Sequence, residues 1–151
     1  MELRPFLHWK LGYSVGNSTL DEQHKRLLHL CKQAVSCMAD ETPEGTRQFH
    51  DILNELAAYV DTHFRTEEAL LRKCGYPLVD QHAEEHFEYQ KKLTDFLWSA
   101  TLGEINKAEL YRYLSIWWSD HILGSDKRYS SYLGDPGRPI PASSHRPESE
   151  L

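Results

Sequence analysis

Four stretches of the chain carry apolar side chains at the three- and four-residue spacing of an α-helix, and each places histidine on its apolar stripe. Residues that share such a stripe lie on one face of a helix, and that face packs into the core. Amphipathic helices joined by short loops favour an antiparallel up-and-down bundle. The sequence therefore predicts an all-α four-helix bundle with imidazole groups directed into its core.

Breakers and caps set approximate limits for the helices. A capping box that begins at Thr19 is expected to open the first, and Thr42 to cap the second with Pro43 as its first residue. Gly75 is expected to stop the second helix. The predicted helices cover residues 20–39, 43–73 and 78–100, and a fourth runs from beyond Gly103 to His121.

The two ends of the sequence fall outside this pattern. The first 18 residues contain Trp9 and Tyr13 and are expected to pack as an ordered arm across the bundle. Residues 134–151 are rich in proline and serine and poor in apolar side chains, which is typical of a disordered tail. We expect one bundle domain over residues 1–133, followed by this flexible tail.

Composition argues against several classes of function. The net charge is −6, with 23 acidic residues against 17 basic ones, so nucleic acid is not expected as a partner. No apolar run approaches the roughly 18 residues of a membrane span, and no secretory signal is visible. Cys31, Cys37 and Cys74 form no CxxC pair, which fits reduced thiols in a cytoplasmic protein better than metal ligands.

The polar residues on the apolar stripes predict a metal centre. A single histidine there is usually a hydrogen-bonded core residue, but a set distributed over four helices needs another explanation. Burying these groups without partners costs about 1–3 kcal/mol each, too much for a domain of marginal stability. A metal gives every nitrogen and oxygen a partner. The inward residues are His24, His63, Glu67, His82, His86 and His121.

The number and type of ligands narrow the choice of metal. Five imidazoles exceed a tetrahedral zinc site, and magnesium or calcium prefers oxygen ligands. A zinc-protease HExxH motif fails because Ala83 stands where glutamate is needed. Five nitrogens with bridging carboxylates suit two octahedral iron ions, although copper and zinc also bind nitrogen sites tightly. Ferritin-like di-iron sites use four carboxylates. A site poorer in carboxylate stabilises the ferric state less, which favours reversible chemistry.

The segment WWSDHILGSD poses a geometric problem, because Asp126 follows His121 by five residues. An ideal α-helix puts Asp126 about 140° around the axis from His121. A π-turn brings residues i and i+5 together, and Gly124 lies where a change of conformation costs least. We therefore predict a local distortion between His121 and Asp126, with both side chains facing one site.

These motifs resemble the ligand set of hemerythrins, most closely that of bacterial hemerythrin-like domains. The match covers about residues 6–133 and lies in LDEQH, HFRTEE, HAEEH and HILGSD, together with the lead-in that contains Trp9 and YSVG. In that family three histidines hold one iron. The resemblance implies this role for His82, His86 and His121.

The resemblance also implies the rest of the cofactor site. His24 and His63 would hold the second iron, and Glu67 and Asp126 would bridge the two iron ions together with an oxo or hydroxo group. The iron with two histidines keeps an open position, where dioxygen binds reversibly as a hydroperoxide. Nitric oxide and other small anions are further candidate ligands, while the sequence leaves any protein partner unknown.

Other residues near the expected site receive more modest roles. Phe64 and Trp118 are expected at the oxygen pocket, although the family usually has leucine at the position of Trp118. Its indole either narrows the pocket or turns outward against the N-terminal arm. Tyr129 is expected to pack near the irons. Periodicity directs the following residues toward the surface: His8, His29, His50, His145, Glu68, Glu84, Glu85 and Asp120.

The leading functional hypothesis is an oxygen carrier or store rather than an enzyme. The alternatives are a sensor of oxygen, nitric oxide, redox state or iron level that acts through a partner, and a di-iron peroxidase or nitric oxide reductase. No general base or substrate pocket can be recognised in the sequence to favour an enzyme.

Overall fold

Helices make up the secondary structure of residues 9–133, the part of the chain that this computed structural model describes. Long helical rods pack as an antiparallel up-and-down bundle, so the predicted fold class is confirmed. At one end of the bundle Lys107 Nζ donates to the Met38 carbonyl (2.7 Å). The helix that begins at Lys107 therefore starts beside the C-terminal end of the first helix. The helices are α1 (Ser18–Cys37), α2 (Pro43–Cys74), α3 (Val79–Thr101), α4 (Lys107–Ile116), a π-helical segment (Trp117–Asp126) and α5 (Ser130–Leu133).

The helix ends follow the local capping chemistry. The Asn17 side chain accepts a hydrogen bond from the Leu20 backbone N–H (3.0 Å) and caps α1. The predicted capping box at Thr19 is therefore wrong, because asparagine two residues earlier already caps this end. Thr42 caps α2 and Pro43 begins it, as predicted. Gly75, at a φ of 77°, ends α2 in the left-handed conformation that glycine adopts without strain.

The described part of the N-terminal arm packs against the bundle. The rings of Trp9 and Tyr13 meet edge to face at 5.7 Å, and both contact the apolar core. Lys127 Nζ donates to the Ser14 carbonyl (2.7 Å) and ties the arm to the far end of the chain. Residues 1–8 and the predicted tail, 134–151, lie outside the described residues, so the predicted domain limits stay a prediction.

Two apolar clusters lie on either side of a polar layer. The larger cluster includes Leu53 and Leu114, and the smaller one includes Leu20 and Leu71. Along α1 and α2 the inward histidines fall between residues of these two clusters, so the polar layer is sealed at both ends. Within residues 9–133, no helix combines the length and apolar character that a membrane span requires.

Candidate metal centre

The polar layer contains all seven residues expected as ligands. Each is buried, with at most 3% of its surface exposed. Their ligand atoms form two groups, and within each group all atoms lie within 4.8 Å of one another. One group combines three histidines with two carboxylates, the other two histidines with the same two carboxylates. The groups are His82, His86 and His121, and His24 and His63, each with Glu67 and Asp126.

Helical geometry positions most of these side chains. His63 and Glu67 are four residues apart on α2, and His82 and His86 are four apart on α3, so each pair shares one face. His24 lies on the buried face of α1 between the two apolar clusters. The regular helices therefore suffice to bring five of the seven residues together.

The remaining two residues lie in the π-helical segment Trp117–Asp126. The wider helix brings Asp126 Oδ1 to 3.3 Å from His121 Nε2, which confirms the predicted distortion. The distortion spans ten residues rather than a single turn. Gly124 has no positive φ, and a Cβ there would meet nothing within 4 Å, so the π-helix does not depend on glycine at this position.

Each carboxylate contacts histidines of both groups. Asp126 Oδ1 lies 2.8 Å from His82 Nε2, and Asp126 Oδ2 lies 3.1 Å from His24 Nε2. Glu67 Oε1 lies 2.9 Å from His86 Nε2 and 3.0 Å from His82 Nε2. Glu67 Oε2 lies 3.6 Å from the Nε2 atoms of both His24 and His63. The two carboxylates therefore lie between the two sets of histidines.

The electrostatics of the layer favour positive charge between the carboxylates. Burial alone lowers the pKa of His24 and His82, but contacts with Asp126 and Glu67 outweigh it and raise these values to about 9 and about 10. Burial disfavours ionised Glu67, yet the surrounding histidines hold its pKa well below the usual range. Burial lowers the pKa of His63 to about 3, so this ring is neutral. The carboxylates thus attract either protons or a cation.

Three residues outside the two groups contact the outer nitrogens of the histidines. His86 Nδ1 lies 2.7 Å from Glu68, and His121 Nδ1 lies 3.2 Å from Glu85. The prediction that Glu68 and Glu85 point outward is wrong, because both side chains reach across to the next helix. His63 Nδ1 lies 2.7 Å from Gln23 Oε1, a contact that sequence analysis missed.

The other residues predicted to lie away from the site do so where the structure describes them. Glu84, Asp120 and His29 are exposed, and His50 is half-buried. His8 and His145 lie outside the described residues. Glu85 stands directly beside His86, but helical periodicity alone does not show that its side chain reaches His121.

The hydrogen-bonding roles of the ring nitrogens test whether this donor set fits a metal. A carboxylate accepts hydrogen bonds, so the Nδ1 atoms of His86 and His121 donate outward to Glu68 and Glu85, while their Nε2 atoms face into the layer. Those two Nε2 atoms face each other at 3.1 Å, with Glu67 Oε1 at 2.9 Å from the first. His63 Nε2 is buried and has no hydrogen-bond partner. Ring nitrogens and carboxylate oxygens that converge in this way fit a bound cation.

Two aromatic residues pack against the cluster. The ring of Phe64 stacks on that of His86, with centroids 3.6 Å apart and planes 4° from parallel. The hydroxyl of buried Tyr129 donates a hydrogen bond to Glu67 Oε2. Tyr129 therefore packs at the site as predicted. The side chain of Trp118 lies outside the described part of the chain, and its role at an oxygen pocket stays a prediction, as does that of Phe64.

We expect the Tyr129→Phe substitution to destabilise the protein by about 1.5–3 kcal/mol, because a buried hydrogen bond to a charged group is lost. Urea denaturation of the full chain measures this change in the free energy of unfolding. Tyr132→Phe is the matched control, since it removes a hydroxyl from a partly exposed neighbouring ring. A loss for Tyr129→Phe no larger than the control's would contradict the importance of this hydrogen bond.

Fold and site together define a class: a four-helix bundle with a buried cluster of histidines and carboxylates able to hold metal. The sequence profile of the "Hemerythrin HHE cation binding domain" matches residues 15–133. The chain therefore belongs to the hemerythrin family.

Individual relatives agree with this assignment. A bacteriohemerythrin of Stenotrophomonas maltophilia is 27% identical over 127 residues, which cover 84% of this chain and 81% of the relative. A hemerythrin-like protein of Naegleria gruberi is 33% identical over 129 residues, covering 85% and 94%. The crystal structure of a hemerythrin leucine-to-alanine mutant superposes with a TM-score of 0.77 at 25% identity, covering 88% of this chain and 98% of the other.

Proposed function

We propose that this chain holds two iron ions and binds dioxygen reversibly, as an oxygen carrier or store. In this proposal His82, His86 and His121 hold one iron, while His24 and His63 hold the other. Glu67 and Asp126 bridge them, with an oxo or hydroxo group. One observation supports the proposal: the three-histidine group and the two-histidine group contain the same two carboxylates, Glu67 and Asp126.

The unequal division of histidines gives the two metal positions different tasks. The position with two histidines has one protein ligand fewer and therefore leaves room for an external ligand. When bound there, an iron pair would supply two electrons to dioxygen and would recover them on release, which would make binding reversible. The surrounding residues hold the ligands in place and exclude water, because apolar clusters close the polar layer at both ends.

Dioxygen is the ligand that membership of the hemerythrin family suggests, and several relatives are called bacteriohemerythrins. We also propose that the protein acts in the cytoplasm, where Cys31, Cys37 and Cys74 remain the free thiols that the structure shows. The sensor and enzyme alternatives use the same residues. They differ from a carrier in what happens after dioxygen binds, which an experiment can distinguish.

The test is anaerobic reduction of the iron-loaded protein, followed by exposure to air while optical spectra are recorded. We expect two iron ions per chain and a charge-transfer band that appears in air and disappears under vacuum over repeated cycles. Rapid conversion to the diferric form without a reversible band would contradict the carrier and favour a sensor or an enzyme. Metal analysis that finds one zinc ion per chain would contradict the di-iron site itself.

A further inference from the structure

The residues that contact the outer histidine nitrogens follow a regular pattern along the chain. Gln23 is the sequence neighbour of His24 on α1, and it contacts His63 on α2 (2.7 Å). The pattern continues on the next two helices. Each of the three residues thus stands beside one member of the polar layer and contacts the histidine that the following helix contributes.

Glu68 and Glu85 supply the other two contacts. Glu68 stands beside Glu67 on α2 and lies 2.7 Å from His86 Nδ1 on α3. Glu85 stands beside His86 on α3 and lies 3.2 Å from His121 Nδ1 in the π-helical segment. Both glutamates are about a third exposed, at 28% and 33% of their side chains, so solvent reaches them while the rings remain buried.

The hydrogen-bond network assigns the direction of the Gln23 contact. The Thr66 hydroxyl donates to the Thr62 carbonyl (2.9 Å), so its oxygen is left to accept from Gln23 Nε2 (3.4 Å). Gln23 therefore directs its Oε1 toward His63, and His63 Nδ1 carries the proton. The rings of His63, His86 and His121 consequently share one orientation, with Nδ1 donating outward and Nε2 directed into the layer.

The three partners differ in charge. Both contacts in the three-histidine group come from carboxylates, whereas the contact in the two-histidine group comes from a neutral amide. An anionic partner on one imidazole nitrogen raises the basicity of the other nitrogen toward a metal. The two metal positions therefore receive imidazoles of different donor strength, in addition to their different number.

We propose that Gln23, Glu68 and Glu85 are positioning residues that fix the tautomer of the histidine on the next helix. The carboxylates strengthen metal binding at the three-histidine position, and the amide leaves the two-histidine position weaker. The inference rests on the proposed metal site but requires neither iron nor dioxygen. A purely packing role predicts instead that any change at the three positions weakens metal binding.

Cobalt(II) is the probe, with competition titrations of the full-length chain resolving a tighter and a weaker site. We expect Glu68→Gln and Glu85→Gln to weaken the tighter site by about 10–100-fold, the range measured for such partners. Gln23→Glu is expected to tighten the weaker site by on the order of tenfold, since it supplies the missing charge. Glu84→Gln is the matched control: it removes the same charge from an exposed neighbour of Glu85 and leaves both affinities unchanged.

The opposite signs of these changes decide the question. If Gln23→Glu also weakens metal binding, the proposal is overturned. It is likewise overturned if Glu84→Gln weakens metal binding as much as Glu85→Gln does. Nitrogen NMR spectra of the unaltered, zinc-loaded chain give a second measurement that no folding defect affects. They should show Nδ1–H on His63, His86 and His121, and Nε2–H on any of them would overturn the proposal. A protein that passes these tests yet binds no dioxygen would contradict only the proposed function.

Discussion

Removal of bound metal is expected to lower the free energy of unfolding by about 4 kcal/mol for each of the two proposed sites, measured against protein held at a metal concentration a thousand times the Kd of that site. The loss arises because the seven buried histidine and carboxylate side chains then face one another without the cation. The Nε2 atoms of His86 and His121 lie only 3.1 Å apart, and His63 Nε2 has no hydrogen-bond partner. Their desolvation is no longer compensated.

Urea denaturation followed by circular dichroism, with and without chelator, measures this loss. In a thermal scan the loss from each site corresponds to a decrease in Tm of about 8–16 °C, at 2–4 °C per kcal/mol for a chain of this size. Chelator saturated with metal beforehand is the control and should leave the midpoint unchanged. Equal midpoints with and without metal would show that these buried side chains need no cation for stability. That result would contradict the inference that the cluster binds metal.

The fold could be predicted because helical periodicity carries most of the required information. Apolar residues at helical spacing gave four rods, and Pro43 and Gly75 gave two of their limits correctly. The start of α1 was misplaced for a local reason. Both Asn17 and Thr19 are residue types that cap helices, and residue type alone does not choose between them.

The residues that line the polar layer were also predictable, since a ligand must lie on the buried stripe of its helix. Asp126 does not follow the three- or four-residue spacing of an α-helix. Its separation of five residues from His121 predicted the π-helical distortion that the structure contains. The ten-residue extent of that segment was not predictable from this spacing, because a single π-turn is enough to bring residues i and i+5 together.

The contacts of Glu68 and Glu85 were missed for a physical reason. Periodicity gives the direction in which a side chain leaves its own helix, whereas a glutamate at the edge of the buried stripe bends toward a neighbouring helix. Whether it finds a partner depends on the register between two helices. A single sequence contains no direct signal of that register.

Replacement of Glu67 by glutamine is expected to weaken metal binding at both positions by more than about 100-fold, beyond the range for residues that act through a ligand. Glu67 belongs to both ligand groups, and its two oxygens lie against histidines of each. In the metal-free protein the same change costs about 3–5 kcal/mol, because His24 and His82 lose an ionised buried partner.

Glu68→Gln is the matched comparison, since it makes the same chemical change one residue further along α2. Glu68 contacts only the outer nitrogen of His86 among the layer's histidines in the described chain, so its loss should affect the three-histidine position alone. Metal analysis after dialysis and chelator competition measure both variants. Loss from both positions in Glu67→Gln, with loss from one in Glu68→Gln, distinguishes a shared ligand from a positioning residue. Equal retention of metal by Glu67→Gln and the unaltered protein would remove Glu67 from the bridging role.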